Sequence, residues 1–160
     1  MFKFDIEAKA PNEEGLNSRV IDNAIKLILR SNLSSAFKTC IRYLGVFPSD
    51  FTPYNHLLSS NDRSLISFCI VNTDPASEPG QHWVVFCRSG KEAPLEYFDS
   101  YGEPSETYGF TLNSSNLTSN ITTAIKFSSL VHQGYGSSVC GHYCILFFYI
   151  RLSLLKTLLM

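Results

Sequence analysis

The sequence predicts an α+β fold in which a central mixed β-sheet is flanked by helices. Two helical patterns, amphipathic near the N-terminus and almost wholly apolar near the C-terminus, enclose a series of short runs rich in β-branched and aromatic residues. Turn residues separate those runs, as is typical of strands in one sheet. We divide the 160 residues into an N-terminal arm with an amphipathic helix, 1–36, and a domain, 37–160, which together form a single globular unit.

The first predicted element is an amphipathic helix from Leu16 to Arg30. Asn17 or Ser18 is the expected N-cap, because short polar side chains bind the free N–H groups of a first helical turn. The polar residues before Leu16 indicate a loose arm. Apolar side chains recur along the helix at intervals of three and four residues: Val20, Ile21, Ala24, Ile25, Leu27 and Ile28.

The middle of the chain predicts the sheet. Residues 37–51 indicate a short strand or a helix end, followed by a turn at 48–50. Residues 64–73 indicate a buried strand, 82–89 a second strand and 95–100 a third. The short connections favour an antiparallel or mixed sheet.

The last third of the chain predicts a loop, a strand and a helix. Residues 102–120 are rich in Gly, Ser, Thr and Asn, which indicates a loop with one short helix, and 124–133 indicate a further strand. A glycine loop then leads to a helix from Cys140 that is apolar almost all round and is therefore expected to be buried. Because Arg151 and Lys156 interrupt its apolar run, it falls short of the roughly 20 residues of a membrane span.

Composition indicates a reduced, near-neutral protein. With 13 basic and 14 acidic side chains, the chain lacks the net positive charge of many nucleic-acid-binding proteins. The N-terminus has no apolar core of a signal peptide, so we expect an intracellular protein. An odd number of scattered cysteines supports this expectation: Cys40, Cys69, Cys87, Cys140 and Cys144.

Cys140 is the candidate nucleophile. It lies where the glycine loop turns into the C-terminal helix, and the free amides and dipole of a helix N-terminus stabilise a thiolate. The backbone N–H of Cys140 would point toward an oxyanion formed there. Gly141 follows directly and would leave room for an arriving substrate carbonyl. These features predict thiol chemistry at this position.

Three further residues have the chemistry that such a nucleophile needs. His82 begins a predicted strand beside Trp83, whose ring would keep a Cys–His pair partly dry and could wall a substrate groove. Antiparallel pairing with the next strand would bring Asp99 to His82, where a carboxylate orients the imidazole. Gln133 precedes Cys140 by seven residues and could donate an amide hydrogen to the oxyanion.

The segments IVNT, GQHW, YFDSYG and HQGYGSSVCGHYC resemble the adenovirus protease (adenain) family of cysteine peptidases, over roughly residues 40–150. The order and intervals agree with that family, including 17 residues from His82 to Asp99. The resemblance implies the rearranged papain-like fold shared with the wider superfamily of SUMO proteases (Ulp and SENP). It also implies roles: nucleophile for Cys140, general acid and base for His82, orienting carboxylate for Asp99 (often Glu in the family) and oxyanion donor for Gln133.

The same resemblance implies cleavage after Gly-rich sites in viral capsid and core precursors, in the host nucleus or cytoplasm and in the virion. Adenoviral enzymes are stimulated by DNA and by a disulfide-bonded peptide, but residues 101–132 contain no cysteine for that tether. No cofactor is required by the sequence, although a peptide or DNA activator is compatible with it. The chain stops at Met160, whereas adenoviral enzymes continue, so we expect a relative from another DNA virus or mobile element.

Three alternatives remain open at this stage. A SUMO or ubiquitin-like-protein deconjugase shares the residue order, but its Gln-to-Cys interval is typically one residue shorter and an Asp usually stands where this chain has Val139. A non-catalytic interaction or virion-associated module is the second. The third is a zinc site, although there is no CxxC pair and one of the histidines would face away from the thiols: Cys140, Cys144, His132 and His142.

Overall fold

The computed structural model describes residues 15–31, 39–51, 54–57, 64–90, 93–112 and 125–158. Most of the predicted N-terminal arm and the second half of the predicted loop at 102–120 lie outside these residues. The elements in chain order are α1 (Ser18–Ser31), β1 (Ile41–Phe47), α2 (Tyr54–Leu57), β2 (Ile66–Asn72), β3 (Trp83–Arg88), β4 (Leu95–Phe98), a 3₁₀ helix (Ser105–Tyr108), β5 (Ile125–Phe127) and α3 (Cys140–Leu158).

The five strands form one sheet in the order β1-β2-β3-β4-β5. The two outer pairs, β1 with β2 and β4 with β5, are parallel, and the two inner pairs are antiparallel. The predicted mixed sheet is therefore confirmed. The segment 37–51 contributes the strand β1 rather than a helix end, and the turn after it is closed by the N–H of Phe51 on the carbonyl of Pro48 at 3.2 Å.

Helix α1 begins as predicted, but fewer of its apolar residues are buried than the sequence pattern indicates. Asn17 is the N-cap, because its side-chain oxygen accepts the backbone N–H of Val20 at 3.0 Å. Ile21, Ile25 and Ile28 are buried at helical spacing. Val20 and Leu27 are 45% and 62% exposed, so the prediction that they share this face was wrong. At about 100° per residue, each lies beyond the edge of that face.

Alternate residues of β2 and β3 pack into two cores on opposite sides of the sheet, as the pleat of a strand requires. The core on one side includes Phe68, Ile70 and Val85 with α1 and α3. The other includes Cys69, Val71, Val84 and Phe86 with Leu57 of α2 and with Phe110. This arrangement leaves the start of β3 and the end of β4 at one rim of the sheet, next to the start of α3.

Strand β5 is shorter than the sequence predicts. Residues 124–133 were expected to form a strand, but only Ile125–Phe127 pairs with β4. Phe127, Leu130 and Val131 are exposed, so the alternation of apolar residues here does not mark a face that packs on a core. Beyond the strand, the backbone N–H groups of His132 and Gln133 bind the carbonyl of Ser100.

Helix α3 packs on only one side. Cys144, Phe148 and Leu152 are buried in the core with α1, and the Phe148 ring stacks on Phe68 with centroids 4.0 Å apart. The opposite side is exposed, with Leu146 49% and Leu154 56% exposed. The prediction that an all-apolar helix is buried all round was therefore wrong. No helix within the described ranges is both long enough and apolar enough to cross a bilayer.

Candidate active site

The structure brings His82 and Asp99 together at the rim of the sheet. His82 directly precedes β3, Asp99 directly follows β4, and the two strands are antiparallel, so these ends adjoin. His82 Nε2 lies 2.6 Å from Asp99 Oδ1, and both side chains are buried. Two local sequence features, a strand start and a strand end, thus produce one buried hydrogen bond between residues 17 positions apart.

The Asp99 carboxylate is held on both oxygens. Oδ1 accepts the backbone N–H of Tyr101 at 2.9 Å in addition to the His82 ring, and Oδ2 accepts the Tyr108 hydroxyl at 3.2 Å. Burial and the adjacent Asp99 charge raise the pKa of Tyr108, so its phenol stays protonated and can donate. These donors satisfy both oxygens of the buried carboxyl group and hold it where it fixes the plane of the imidazole.

The His82 ring is enclosed by aromatic side chains. Tyr101 stacks on it with centroids 4.5 Å apart, and Tyr108 lies tilted at 5.7 Å. Because Nε2 binds Asp99, Nδ1 is the nitrogen left for the thiol; it is buried and has no hydrogen bond of ordinary geometry within the described part of the chain. Burial lowers the pKa of His82, but the interactions with Asp99 and with the nearby Cys140 thiol outweigh burial and raise it to about 9.

Cys140 is the first residue of α3, as the sequence predicts, and its side chain is buried. Burial alone would raise the pKa of its thiol. Interaction with His82, together with the backbone N–H groups of Trp83 and Gly141, outweighs burial and lowers that pKa below its usual value. The opposite directions of the two shifts favour a thiolate paired with an imidazolium, which is the reactive form of a catalytic cysteine.

Gln133 is buried next to Tyr101, whose ring covers His82, and it is held in a fixed orientation. Its carbonyl oxygen accepts the Ser100 hydroxyl at 2.7 Å, and its amide nitrogen donates to the carbonyl of Ser137 at 2.6 Å. The same nitrogen lies 3.1 Å from the Tyr101 hydroxyl. Gln133 was expected at the end of a strand, but β5 ends at Phe127, and hydrogen bonds to the loop after β4 hold Gln133 instead.

Sequence reasoning did not single out Ser100 and Tyr101, although both follow Asp99 within the segment YFDSYG. The signal was their adjacency to a candidate catalytic carboxylate at a strand end. A chain that turns at Asp99 must place the next two residues around the same site.

Trp83 and Gly141 were expected to contact substrate. In the structure both contact Leu16, which precedes α1. The Trp83 indole N–H donates to the carbonyl of Leu16 at 2.8 Å, while the half-buried ring lines the cleft beside Cys140. At Gly141 a Cβ atom would lie 3.0 Å from both Leu16 Cβ and Ile21 Cδ1. The space on the Cβ side of Gly141 is therefore used by Leu16 and Ile21, and the expectation that this glycine admits a substrate carbonyl stays a prediction.

A cleft of about 450 Å³ opens at Cys140. Residues 15–18 and 46–48 line it together with residues between 72 and 81, and Trp83, Ser138 and Cys140 complete the lining. Gly80 has a φ of +87°, and a Cβ there would lie 2.7 Å from the Asn72 amide nitrogen. Glycine is therefore required where the 72–81 loop folds back toward His82.

The histidines of the alternative zinc site do not converge with the thiols. His142 is exposed on α3, and the exposed His132 ring lies against Phe98 and Tyr143. Within the ranges that the structure describes, no group of three or more His, Cys, Asp or Glu residues is arranged to hold a metal ion.

A comparison with curated proteins finds a relative that is named as a protease. A protein named Protease from snake adenovirus serotype 1 is 28% identical in an alignment 138 residues long, and the match covers 80% of this chain and 63% of that protein. The chain thus spans less than two thirds of the length of this curated relative.

Solved structures show the same fold. The crystal structure of the ASFV pS273R protease matches with a TM-score of 0.56 at 17% identity, over 88% of this chain and 58% of that one. Its selenomethionine form gives a TM-score of 0.52, also at 17% identity, over 88% and 59% of the respective chains. These likenesses confirm the predicted fold, a mixed sheet with packed helices, which the chain shares with the ASFV protease.

The family comparison covers the sheet and the helix that begins at Cys140. A family model described as adenovirus endoprotease matches residues 43–157, well over half of the chain. The chain belongs to the adenovirus endoprotease family.

Proposed function

We propose that this chain is a cysteine peptidase whose nucleophile is Cys140. The observation that carries the proposal is the buried row formed by Cys140, His82 and Asp99, in which the pKa of the thiol is lowered and that of the imidazole is raised. Membership of the adenovirus endoprotease family supports the same reaction class.

In the proposed reaction the Cys140 thiolate attacks the scissile carbonyl carbon. The resulting oxyanion accepts the backbone N–H of Cys140 and a hydrogen of the Gln133 amide. His82, protonated in the resting pair, gives its proton to the leaving amine, and the C–N bond breaks to leave a thioester on Cys140. His82 then takes a proton from water, whose oxygen attacks the thioester carbon. The C–S bond breaks, which releases the acid product and returns the Cys140 thiolate beside the protonated His82, and Asp99 keeps the ring oriented throughout.

We further propose that the substrates are viral structural precursors cut after Gly-rich sites, in the nucleus or cytoplasm of an infected cell and in the virion. The cleft at Cys140 lies between residues 15–18 on one wall and residues 72–81 on another. A peptide with glycine next to the scissile bond passes between two such walls with the least steric conflict, which gives the preference a physical cause.

Activation would also differ from that of the adenoviral enzymes. Residues 101–132 contain no cysteine that could carry a disulfide-bonded activator peptide. We therefore propose that no cofactor is covalently attached and that any peptide or DNA activator binds reversibly. The near-neutral net charge of −1 gives DNA no general attraction to the chain.

A substrate panel tests the proposed specificity. The purified chain is offered a peptide with a Gly-Gly site of the kind expected in a capsid precursor, the same peptide with both glycines replaced by alanine, and SUMO and ubiquitin C-terminal fusions. We expect at least about a tenfold higher kcat/KM for the Gly-Gly peptide than for the Ala-Ala peptide, which corresponds to about 1.4 kcal/mol of discrimination. Efficient processing of the fusions without cleavage of the Gly-Gly peptide would instead identify a deconjugase.

A further inference from the structure

Ser100 holds both the main chain and the side chain of Gln133. It follows Asp99 directly and is 1% exposed. Its carbonyl accepts the backbone N–H groups of Gln133 at 2.9 Å and of His132 at 2.8 Å, while its hydroxyl lies 2.7 Å from Gln133 Oε1. One buried residue thus connects the end of β4 to the loop that leads into α3.

These contacts determine which way the Gln133 amide points. The carbonyl of Ser137, 2.6 Å away, can only accept, so the amide nitrogen must face it and the amide oxygen must face Ser100. The Ser100 hydroxyl is therefore the donor in its bond to Gln133. The second hydrogen of the amide lies toward the Tyr101 hydroxyl at 3.1 Å, on the side where Tyr101 covers the His82 ring.

We propose that Ser100 is a positioning residue that holds the Gln133 side chain in place, so that the amide hydrogen now facing the Tyr101 hydroxyl is ready to pass to the oxyanion. The inference rests on the proposed function, because it assigns Ser100 to the oxyanion donor of that reaction. Because Ser100 fixes the amide oxygen and Ser137 binds one amide hydrogen, only the other hydrogen has to change partner when the oxyanion forms. Ser100 acts through Gln133, since its hydrogen bonds within the described residues reach Gln133 and His132.

A double-mutant cycle tests this role. Loss of an oxyanion donor lowers kcat by about 100- to 1000-fold. Ser100→Ala leaves the Gln133 donor present but loosely held, so we expect it to lower kcat by about 10- to 100-fold with little change in KM. In a Gln133→Ala background, Ser100→Ala should have no further effect. The pH dependence of Cys140 alkylation should stay as in the wild type.

Ser105→Ala is the matched control. Ser105 is also 1% exposed and its hydroxyl bonds locally to Glu106, so its loss should leave kcat unchanged. Equal losses from Ser100→Ala in the wild-type and Gln133→Ala backgrounds would overturn the proposal, because Ser100 would then act independently of Gln133. A shift in the alkylation profile would overturn it as well.

A second readout does not depend on cleavage. If the wild type cut no peptide, the proposed function would fail, and the side-chain amide of Gln133 could still be followed by ¹⁵N NMR. We expect a rigid amide with slow hydrogen exchange in the wild type and in Ser105→Ala, and a mobile, faster-exchanging one in Ser100→Ala. Unchanged mobility in Ser100→Ala would overturn the positioning role.

Discussion

At the scale of single residues, the reactivity of the site comes from two opposed shifts. Interaction with His82 and two backbone amides lowers the pKa of Cys140, and the carboxylate of Asp99 and the Cys140 thiol raise that of His82 to about 9. At a pH above the pKa of Cys140 and below that of His82, the thiolate and the imidazolium coexist. Below the range the thiolate is protonated, and above about pH 9 the imidazolium is lost.

The opposite directions of these two pKa shifts lead to a labelling prediction. At pH 6 we expect iodoacetamide to modify Cys140 well before Cys69, because burial raises the pKa of the Cys69 thiol. His82→Ala should slow labelling of Cys140 at pH 6 by about tenfold or more, while labelling at pH 10 changes less. Peptide mapping by mass spectrometry measures the site and the rate. Equal labelling of both cysteines at pH 6 would favour the non-catalytic module.

The Asp99 carboxylate gives a second prediction. Asp99→Asn keeps the shape of the side chain but removes the charge that supports the imidazolium, so we expect kcat/KM to fall by about 100-fold or more. The pKa of His82, followed by ¹H NMR titration, should fall as well. Tyr108→Phe removes only the hydroxyl on Oδ2 and should cost about tenfold or less. Equal losses in the two variants would argue against a role for the charge.

The residues at this scale were mostly predictable from sequence. His82, Asp99 and Cys140 stand at the ends of elements whose local pattern is strong. Antiparallel pairing of adjacent strands brings His82 to Asp99, and the packing of α3 brings Cys140 to His82. Ser100 was missed because a buried serine has no pattern of its own. Its importance depends on a hydrogen bond to Gln133, 33 positions along the chain.

At the scale of elements, α1 and α3 are joined where the chain before α1 crosses Gly141. A methyl group at Gly141 would meet Leu16 and Ile21 at 3.0 Å. We expect Gly141→Ala to lower the free energy of unfolding by about 1–3 kcal/mol in a urea titration. Gly134→Ala is the control, since a Cβ there has no atom within 4 Å and φ is not positive. Similar stability of the two variants would contradict this packing.

The two sides of α3 give a fourth prediction. Phe148 is buried against Phe68, so Phe148→Ala should cost about 3–5 kcal/mol of unfolding free energy. Leu154 is 56% exposed, and Leu154→Ala should change the free energy of unfolding by no more than about 0.5 kcal/mol. Thermal or urea unfolding measures both. A large loss at Leu154 would mean that this side of the helix is covered in solution.

The existence of the elements was easier to predict than their surroundings. The 3.6-residue pattern identified α1 and α3, but hydrophobicity alone could not tell which apolar side chains face the sheet. β5 ended early for a related reason, since Leu130 and Val131 alternate like strand residues without a core to face. The contact of Leu16 with Gly141 joins opposite ends of the chain and leaves no local signal.

At the scale of the whole molecule, the site lies where β3, β4, α3 and the chain before α1 meet. The start of β3, the end of β4 and the first residue of α3 contribute His82, Asp99 and Cys140, and the chain before α1 forms part of the cleft wall. The site therefore needs both the pairing of β3 with β4 and the packing of α3 against the sheet. The fold class was predictable because these elements have strong local patterns, whereas substrate, activation and location depend on partners and remain proposals.

The central claim is that Cys140 is the nucleophile of a peptidase, and the kcat/KM of Cys140→Ala on a cleavable Gly-Gly peptide tests it most directly. Cys69→Ala is the matched control, because Cys69 lies in the core on the other side of the sheet. We expect Cys140→Ala to lose at least about 1000-fold in kcat/KM, while Cys69→Ala stays within about threefold of the wild type. Activity of Cys140→Ala close to that of Cys69→Ala would contradict the mechanism.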